Sequence, residues 1–146
     1  MVVENSQSRD DTKVAFIFPG QGSQFVGMGL ELYQNSSAAR DVFEEVDQAL
    51  DTDISRIIFE GPEEELRKTI NAQPGILAVS IACLAAMKET LGDKHMPSPS
   101  VVGGHSLGQY TALVAASVLS VRDGALLVRE RGRLMQGASD LIPTGM

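Results

Sequence analysis

Residues Gly104-His105-Ser106-Leu107-Gly108 carry the pattern Gly-x-Ser-x-Gly. A serine on a sharp turn between a strand and a helix takes a strained backbone, and flanking glycines let the two elements approach without side-chain collision. The turn lifts the hydroxyl clear of the sheet. It also gathers the first N–H groups of the helix where an oxyanion would develop. The chemistry this arrangement suits is nucleophilic acyl transfer through Ser106. The plainer alternative is a helix N-terminus with Ser106 as its cap. It fits less well, because a short apolar run ends at the motif and a helix-forming run starts from it. His105 is rejected as the base, since neighbouring residues on a tight turn project in different directions. His95, in the polar stretch before Pro97, reads as an exposed loop residue. No convincing general base is present in the chain.

The second chemical signal is an arginine out of place. On a helix advancing about 100° per residue, Arg131 lies within about 60° of Leu127, Val128, Leu134 and Met135, in the middle of an apolar stripe. Arg129, Glu130 and Arg133 point elsewhere, as solvated charges. A guanidinium on an apolar face needs a carboxylate, either from the protein or from a ligand, and its planar fork suits bidentate capture. Helix geometry leaves both readings open. A third feature is the loop Gly20-Gln21-Gly22-Ser23-Gln24. It is not a dinucleotide fingerprint, because the third glycine of Gly-x-Gly-x-x-Gly would fall at Phe25.

The elements that position these residues read as α/β, a parallel sheet flanked by helices. Lys13–Phe18 is a short apolar run of the kind covered on both faces, ended by Pro19-Gly20. Ala39, Val42, Phe43, Val46 and Leu50 recur at helical spacing, and Asp51-Thr52-Asp53 closes that helix. Gly61-Pro62-Glu63 opens a short helix, and Pro74 to Leu91 reads as a buried one. Pro97-Ser98-Pro99 breaks the chain before a second strand, Ser100–Gly103. A helix runs from Leu107 to about Leu119. Ser120-Val121-Arg122-Asp123, with the spacing of a capping box, starts the last.

The chain has 146 residues, 43% hydrophobic and 21% charged, as expected of one globular domain. Residues 1–12 read as a flexible leader and 13–146 as the domain. A net charge of −7 disfavours nonspecific binding to nucleic acid or anionic membranes, although Arg122, Arg129, Arg131 and Arg133 form a local basic cluster. The single cysteine, Cys83, excludes an internal disulfide and reads as a buried, inert thiol. The polar start lacks a signal core, and the longest apolar run, Gly75 to Met87, is too short to cross a bilayer. These features point to a cytoplasmic protein.

Taken together, Phe18-Pro19-Gly20-Gln21-Gly22-Ser23-Gln24, Gln73-Pro74, Gly104–Tyr110 and Arg129–Gln136 resemble the malonyl-CoA:acyl-carrier-protein transacylase family, from Lys13 to the C-terminus. The acyltransferase domains of polyketide and fatty-acid synthases share the pattern. The resemblance implies an α/β-hydrolase-like acyltransferase core. It implies that Ser106 accepts a malonyl group from malonyl-CoA and passes it to the phosphopantetheine thiol of acyl carrier protein. It further implies that the N–H groups of Gln21 and Leu107 form the oxyanion hole, that Arg131 pairs with the malonyl carboxylate, and that Gln73 lies near the acyl pocket. No tightly bound cofactor or metal is implied, and the full-length protein would be a monomer.

Two departures accompany the resemblance. The family usually has Glu where this chain has Gln109. Family members also run well beyond this length, with their catalytic histidine and a ferredoxin-like subdomain past residue 146, so the chain reads as an N-terminal fragment with little turnover of its own. Two other function classes remain in view: an α/β-hydrolase-type serine esterase, and a non-catalytic fragment that docks carrier protein through its arginine-rich helix.

Overall fold

In a computed structural model, the structure describes residues 13–141. The expected leader at 1–12 and the closing Pro143-Thr144-Gly145-Met146 lie outside the described residues. Two parallel strands, β1 (Ala15–Phe18) and β2 (Val101–Gly104), pair in the register Ala15 with Val101 through Phe18 with Gly104. Between them run α1 (Leu30–Asn35), α2 (Ser37–Leu50), α3 (Ile54–Glu60), α4 (Glu63–Arg67) and α5 (Thr69–Leu91). After β2 come α6 (Gly108–Ala115) and α7 (Val121–Leu141).

The core centres on α5, which packs against both α2 and α7, themselves in contact, while α6 lies against both strands. Helix α2 forms as its periodicity predicts: Ala39, Val42, Phe43, Val46 and Ala49 are buried, and Leu50 sits at the margin. Burying side chains such as Phe43 and Val46 stabilises the fold by about 1.5–3 kcal/mol each. Phe43 also meets Tyr33 and Phe59 at ring distances of 5.9 and 5.0 Å, which joins α1 and α3 to α2. The Ser36 hydroxyl caps α2 by accepting from the Ala39 N–H at 3.0 Å. Glu89 of α5 accepts from the Ser36 and Ser37 hydroxyls and from the Ala38 N–H. A carboxylate at the positive end of a helix is favourable, and these bonds hold the Glu89 carboxyl below its ordinary pKa.

Several expectations need correction. Helix α5 begins at Thr69, five residues before Pro74, and so carries a proline in its interior. With 23 residues it is long and apolar enough to cross a membrane by length and composition, against the shorter run read from sequence. However, 61% of its most apolar 18-residue segment is buried inside the protein, as in a core helix. Helix α6 stops at Ala115 rather than Leu119, because Ser117 turns into the left-handed region (φ 58°) and the Val118 N–H reaches back to the Leu113 carbonyl. Helices α1 and α3 carried no signal strong enough to be read.

The sheet is covered on one face only. Phe18 is buried, yet Ile17 and Val101 are 70% and 61% exposed. Cys83 is exposed rather than buried, because its side of α5 borders an apolar groove of about 460 Å³ along β1. Partial burial still raises the thiol pKa, which keeps it a poor nucleophile. The capping box at α7 is present: Ser120 donates to Asp123 at 2.7 Å and accepts from the Asp123 N–H at 2.9 Å.

Glu89 makes acid sensitivity testable. A carboxyl whose folded pKa lies below its unfolded value, about 4.3, stabilises the fold above that pH, and the contribution is lost as pH falls through the folded value. Thermal melts should therefore show Glu89→Gln less stable than wild type at pH 7, with the gap closing below about pH 4. A gap of constant size across that range would contradict this account.

Candidate active site at the strand–helix elbow

Strand β2 runs straight into the turn at Ser106, which adopts φ 51°. A left-handed conformation is unusual for a non-glycine residue and is held there only by its surroundings. The glycines on either side are required by contact. A Cβ on Gly104 would fall 2.1 Å from the Gly108 carbonyl carbon, and one on Gly108 would fall 2.3 Å from the Phe18 carbonyl oxygen. The end of β1 therefore presses directly on the first turn of α6. The His105 N–H donates to Phe18 O at 3.1 Å, and the Gly108 N–H donates to His105 O at 2.8 Å.

Beside the serine stands Arg131. Its Nη2 donates to Ser106 Oγ at 2.9 Å, its Nη1 donates to Gln73 Oε1 at 2.6 Å, and its guanidinium carbon lies 5.6 Å from the centre of the Tyr110 ring. Gln73 is fully buried and is held in turn by a 3.4 Å contact from Nε2 to Met135 Sδ. Among the described residues no carboxylate pairs with Arg131. Of the two sequence readings, the internal ion pair is thus the one without a partner.

The apolar stripe used to single out Arg131 is itself corrected. Leu127 and Leu134 are exposed, and α7 buries Gly124, Ala125, Val128 and Gly132 instead. Small residues permit a closer seam: a Cβ on Gly132 would meet the Thr69 carbonyl at 2.7 Å. Arg131 is half-buried at the edge of that seam, where it reaches Ser106.

Arg129 is not a solvated charge either. Its Nη1 donates to Ile70 O at 3.1 Å and to Asn71 Oδ1 at 2.7 Å. Ile70 O is the carbonyl that position 74 would bond in a regular helix, and Pro74 has no N–H to give it. Arg129 supplies the missing donor, and this explains how α5 tolerates an interior proline. Burial pushes the Arg129 pKa down. Arg133 meets Glu130 through two 2.7 Å bonds at the surface, which lower the Glu130 pKa and raise that of Arg133.

The remaining predicted residues fall as follows. Leu107 is fully buried at the start of α6. Gln21 lies in the exposed loop after β1 and donates from Nε2 to Thr69 Oγ1 at 3.0 Å. Neither the Gln21 nor the Leu107 N–H has a protein acceptor among the described residues. No hydrogen bond joins the exposed His105 ring to Ser106, and His95 sits in the loop after α5 with Nδ1 3.3 Å from Leu91 O. Gln109 is exposed. Sequence reasoning missed Thr69 and the inward role of Arg129. Thr69 stands four residues before Gln73, on the same helical face, but that spacing is informative only once the helix is known to start before Pro74.

A serine at a left-handed strand–helix elbow, faced by an arginine fork, marks the candidate site of this α/β protein. Residues 15–146 match the acyl transferase domain, and the chain belongs to that family. It is 50% identical over 134 residues to the malonyl CoA-acyl carrier protein transacylase of Bacillus subtilis (strain 168), covering 92% of this chain and 40% of the relative. It is 43% identical over 135 residues to the transacylase of the same name from Staphylococcus aureus (strain MW2), covering 92% and 41%. Among solved structures it resembles the acyl-carrier-protein-S-malonyltransferase of Bartonella henselae (TM-score 0.82, 52% identity, 87% of this chain and 40% of that one). It also resembles PlMCAT:AntF, described as a type II PKS acyl-carrier protein in complex with its malonyl-transacylase (TM-score 0.79, 41% identity, 87% and 40%). The chain thus spans about 40% of the length of these relatives.

The elbow contacts predict the cost of disturbing them. Gly108→Ala forces a Cβ into the Phe18 carbonyl and should destabilise the fold by at least about 2 kcal/mol, read as a lower urea midpoint. An unchanged midpoint would mean that β1 and α6 do not touch as described.

Proposed function

We propose that this chain carries the nucleophile and the acid-recognition half of a malonyl transfer site. Ser106 Oγ attacks the thioester carbonyl of malonyl-CoA, the coenzyme A thiolate leaves and takes up a proton, and a malonyl-serine ester remains. The phosphopantetheine thiol of acyl carrier protein then attacks that ester and restores the serine. The N–H groups of Gln21 and Leu107 receive the oxyanion in both steps. Arg131, oriented by Gln73, binds the free carboxylate of the malonyl group.

The observation that carries this reading is the Arg131 guanidinium. It lies within hydrogen-bonding distance of Ser106 Oγ and has no carboxylate partner among the described residues. A cation there suits an acyl group ending in a carboxylate and disfavours uncharged ones. A simple esterase gives no reason for it. The carrier-docking alternative keeps less basic surface, because Arg129 and Arg131 turn inward and Arg133 is paired with Glu130, which leaves Arg122 of the cluster exposed. The carrier protein remains the acyl acceptor in our reading, in keeping with the neighbour described as a complex of the two. The acidic chain and the burial of α5 suit a cytoplasmic, membrane-free enzyme.

Intact-mass spectrometry after incubation with malonyl-CoA or acetyl-CoA tests the assignment. Malonyl should add at Ser106 and be absent in Ser106→Ala. Arg131→Ala should lower the preference for malonyl over acetyl on the order of 100-fold, the worth of a charge-assisted bidentate pair. A preference that survives the substitution would assign carboxylate recognition elsewhere.

With no imidazole bonded to Ser106 among the described residues, transfer to carrier protein by this chain alone should run at least about 100-fold slower than by the complete Bacillus subtilis relative. Equal rates would refute that expectation.

A further inference from the structure

Thr69 is the point where the loop after β1, helix α5 and helix α7 meet. Its hydroxyl accepts from Gln21 Nε2 at 3.0 Å, and its N–H donates to Gln136 Oε1 of α7 at 3.2 Å. Its carbonyl lies against Gly132, where any side chain would collide. One residue on, Arg129 of α7 holds the Ile70 carbonyl that Pro74 leaves unbonded. The first turn of α5 is therefore clamped by α7 through Gln136, Gly132 and Arg129, and Thr69 extends that clamp to the loop. Within the loop the other bonds are local, Gly22 N–H to Gln24 Oε1 at 2.8 Å and Ser23 Oγ to Gly20 O at 2.9 Å. They tie the loop to itself and leave its tip to be anchored from outside.

We propose that Thr69 is a positioning residue for acyl transfer: by accepting the Gln21 side chain it fixes the peptide whose N–H receives the oxyanion, and it ties that donor to the same helix that carries Arg131. The inference rests on the acyl-transfer reading above. Its physical basis is that a donor accelerates reaction only if it is already in place when charge develops. Gln21 sits on an exposed loop, bracketed by the local bonds at Gly20 and Gly22, and among the described residues its own side chain is what bonds it to the helices. That tether to a clamped helix end supplies the placement. The hydroxyl of Thr69 is the functional part, so serine should serve in its place and valine, of similar shape, should not.

Four variants of this chain, Thr69→Ser, Thr69→Val, Gln21→Met and the double variant Gln21→Met/Thr69→Val, test the tether by two readouts. In 15N relaxation, the backbone order parameter of Gln21 should sit near the rigid value of about 0.85 in wild type and Thr69→Ser, and fall below about 0.6 in the other three. Malonylation of Ser106, followed by intact mass, should slow about tenfold or more at saturating malonyl-CoA in those same three. The half-saturating concentration should stay unchanged and Thr69→Ser should keep the wild-type rate. The double variant should be no slower than either single one, because all three break one bond. Additive losses, a Thr69→Ser variant as impaired as Thr69→Val, or an unmoved Gln21 order parameter would overturn the proposal. If wild type shows no malonylation at all, the acyl-transfer reading of this chain fails. The order parameters still decide whether Thr69 holds Gln21.

Discussion

The side-chain-free approach of α7 to the first turn of α5 governs everything around the serine. Gly132 places the two helices so close that a single methyl group would strike the Thr69 carbonyl, and only at that distance do the arginines on either side of the seam find their acceptors. Arg129 reaches the carbonyl orphaned by Pro74, and Arg131 reaches Gln73 on the next turn. Without the seam, α5 would carry an unbonded carbonyl in its interior, a cost of about 1–3 kcal/mol. Gln73 would then be a buried amide with no cation to hold.

The elbow obeys the same logic from the other side. Gly104 and Gly108 let β1, β2 and α6 converge within contact distances that no Cβ tolerates, and the strained φ of Ser106 is the outcome. Two convergences, one of helices and one of strands with a helix, meet at the Arg131–Ser106 hydrogen bond. The site is assembled by packing long before any charge is considered.

The elbow was legible because its pentapeptide carries its own geometric reason, and the capping box at Ser120 because its bonds are local. The paired strands were legible as apolar runs, although their exposure was not. Burial of both faces depends on what else covers the sheet, and Ile17 and Val101 have no cover among the described residues. Arg131 faces Ser106 although the stripe that singles it out is only half buried, since hydrophobicity marks Leu127 and Leu134 while the actual contact surface is largely glycine and alanine. Pro74 misled outright. A proline normally ends a helix, and the arginine that excuses it lies 55 positions later in the chain. Cys83 failed for the same reason as the strands, because one side of α5 borders an open groove.

That groove has a practical meaning. A short parallel pair whose outer backbone groups lack neighbours among the described residues, flanked by Ile17 and Val101 at high exposure, is a ready template for strand addition by another chain. Charged or proline residues that usually blunt such borders are missing from Ala15–Phe18 and Val101–Gly104. Such a margin, the edge of the smallest element, favours association of this polypeptide with other chains in concentrated solution more than its well-filled helical interior does.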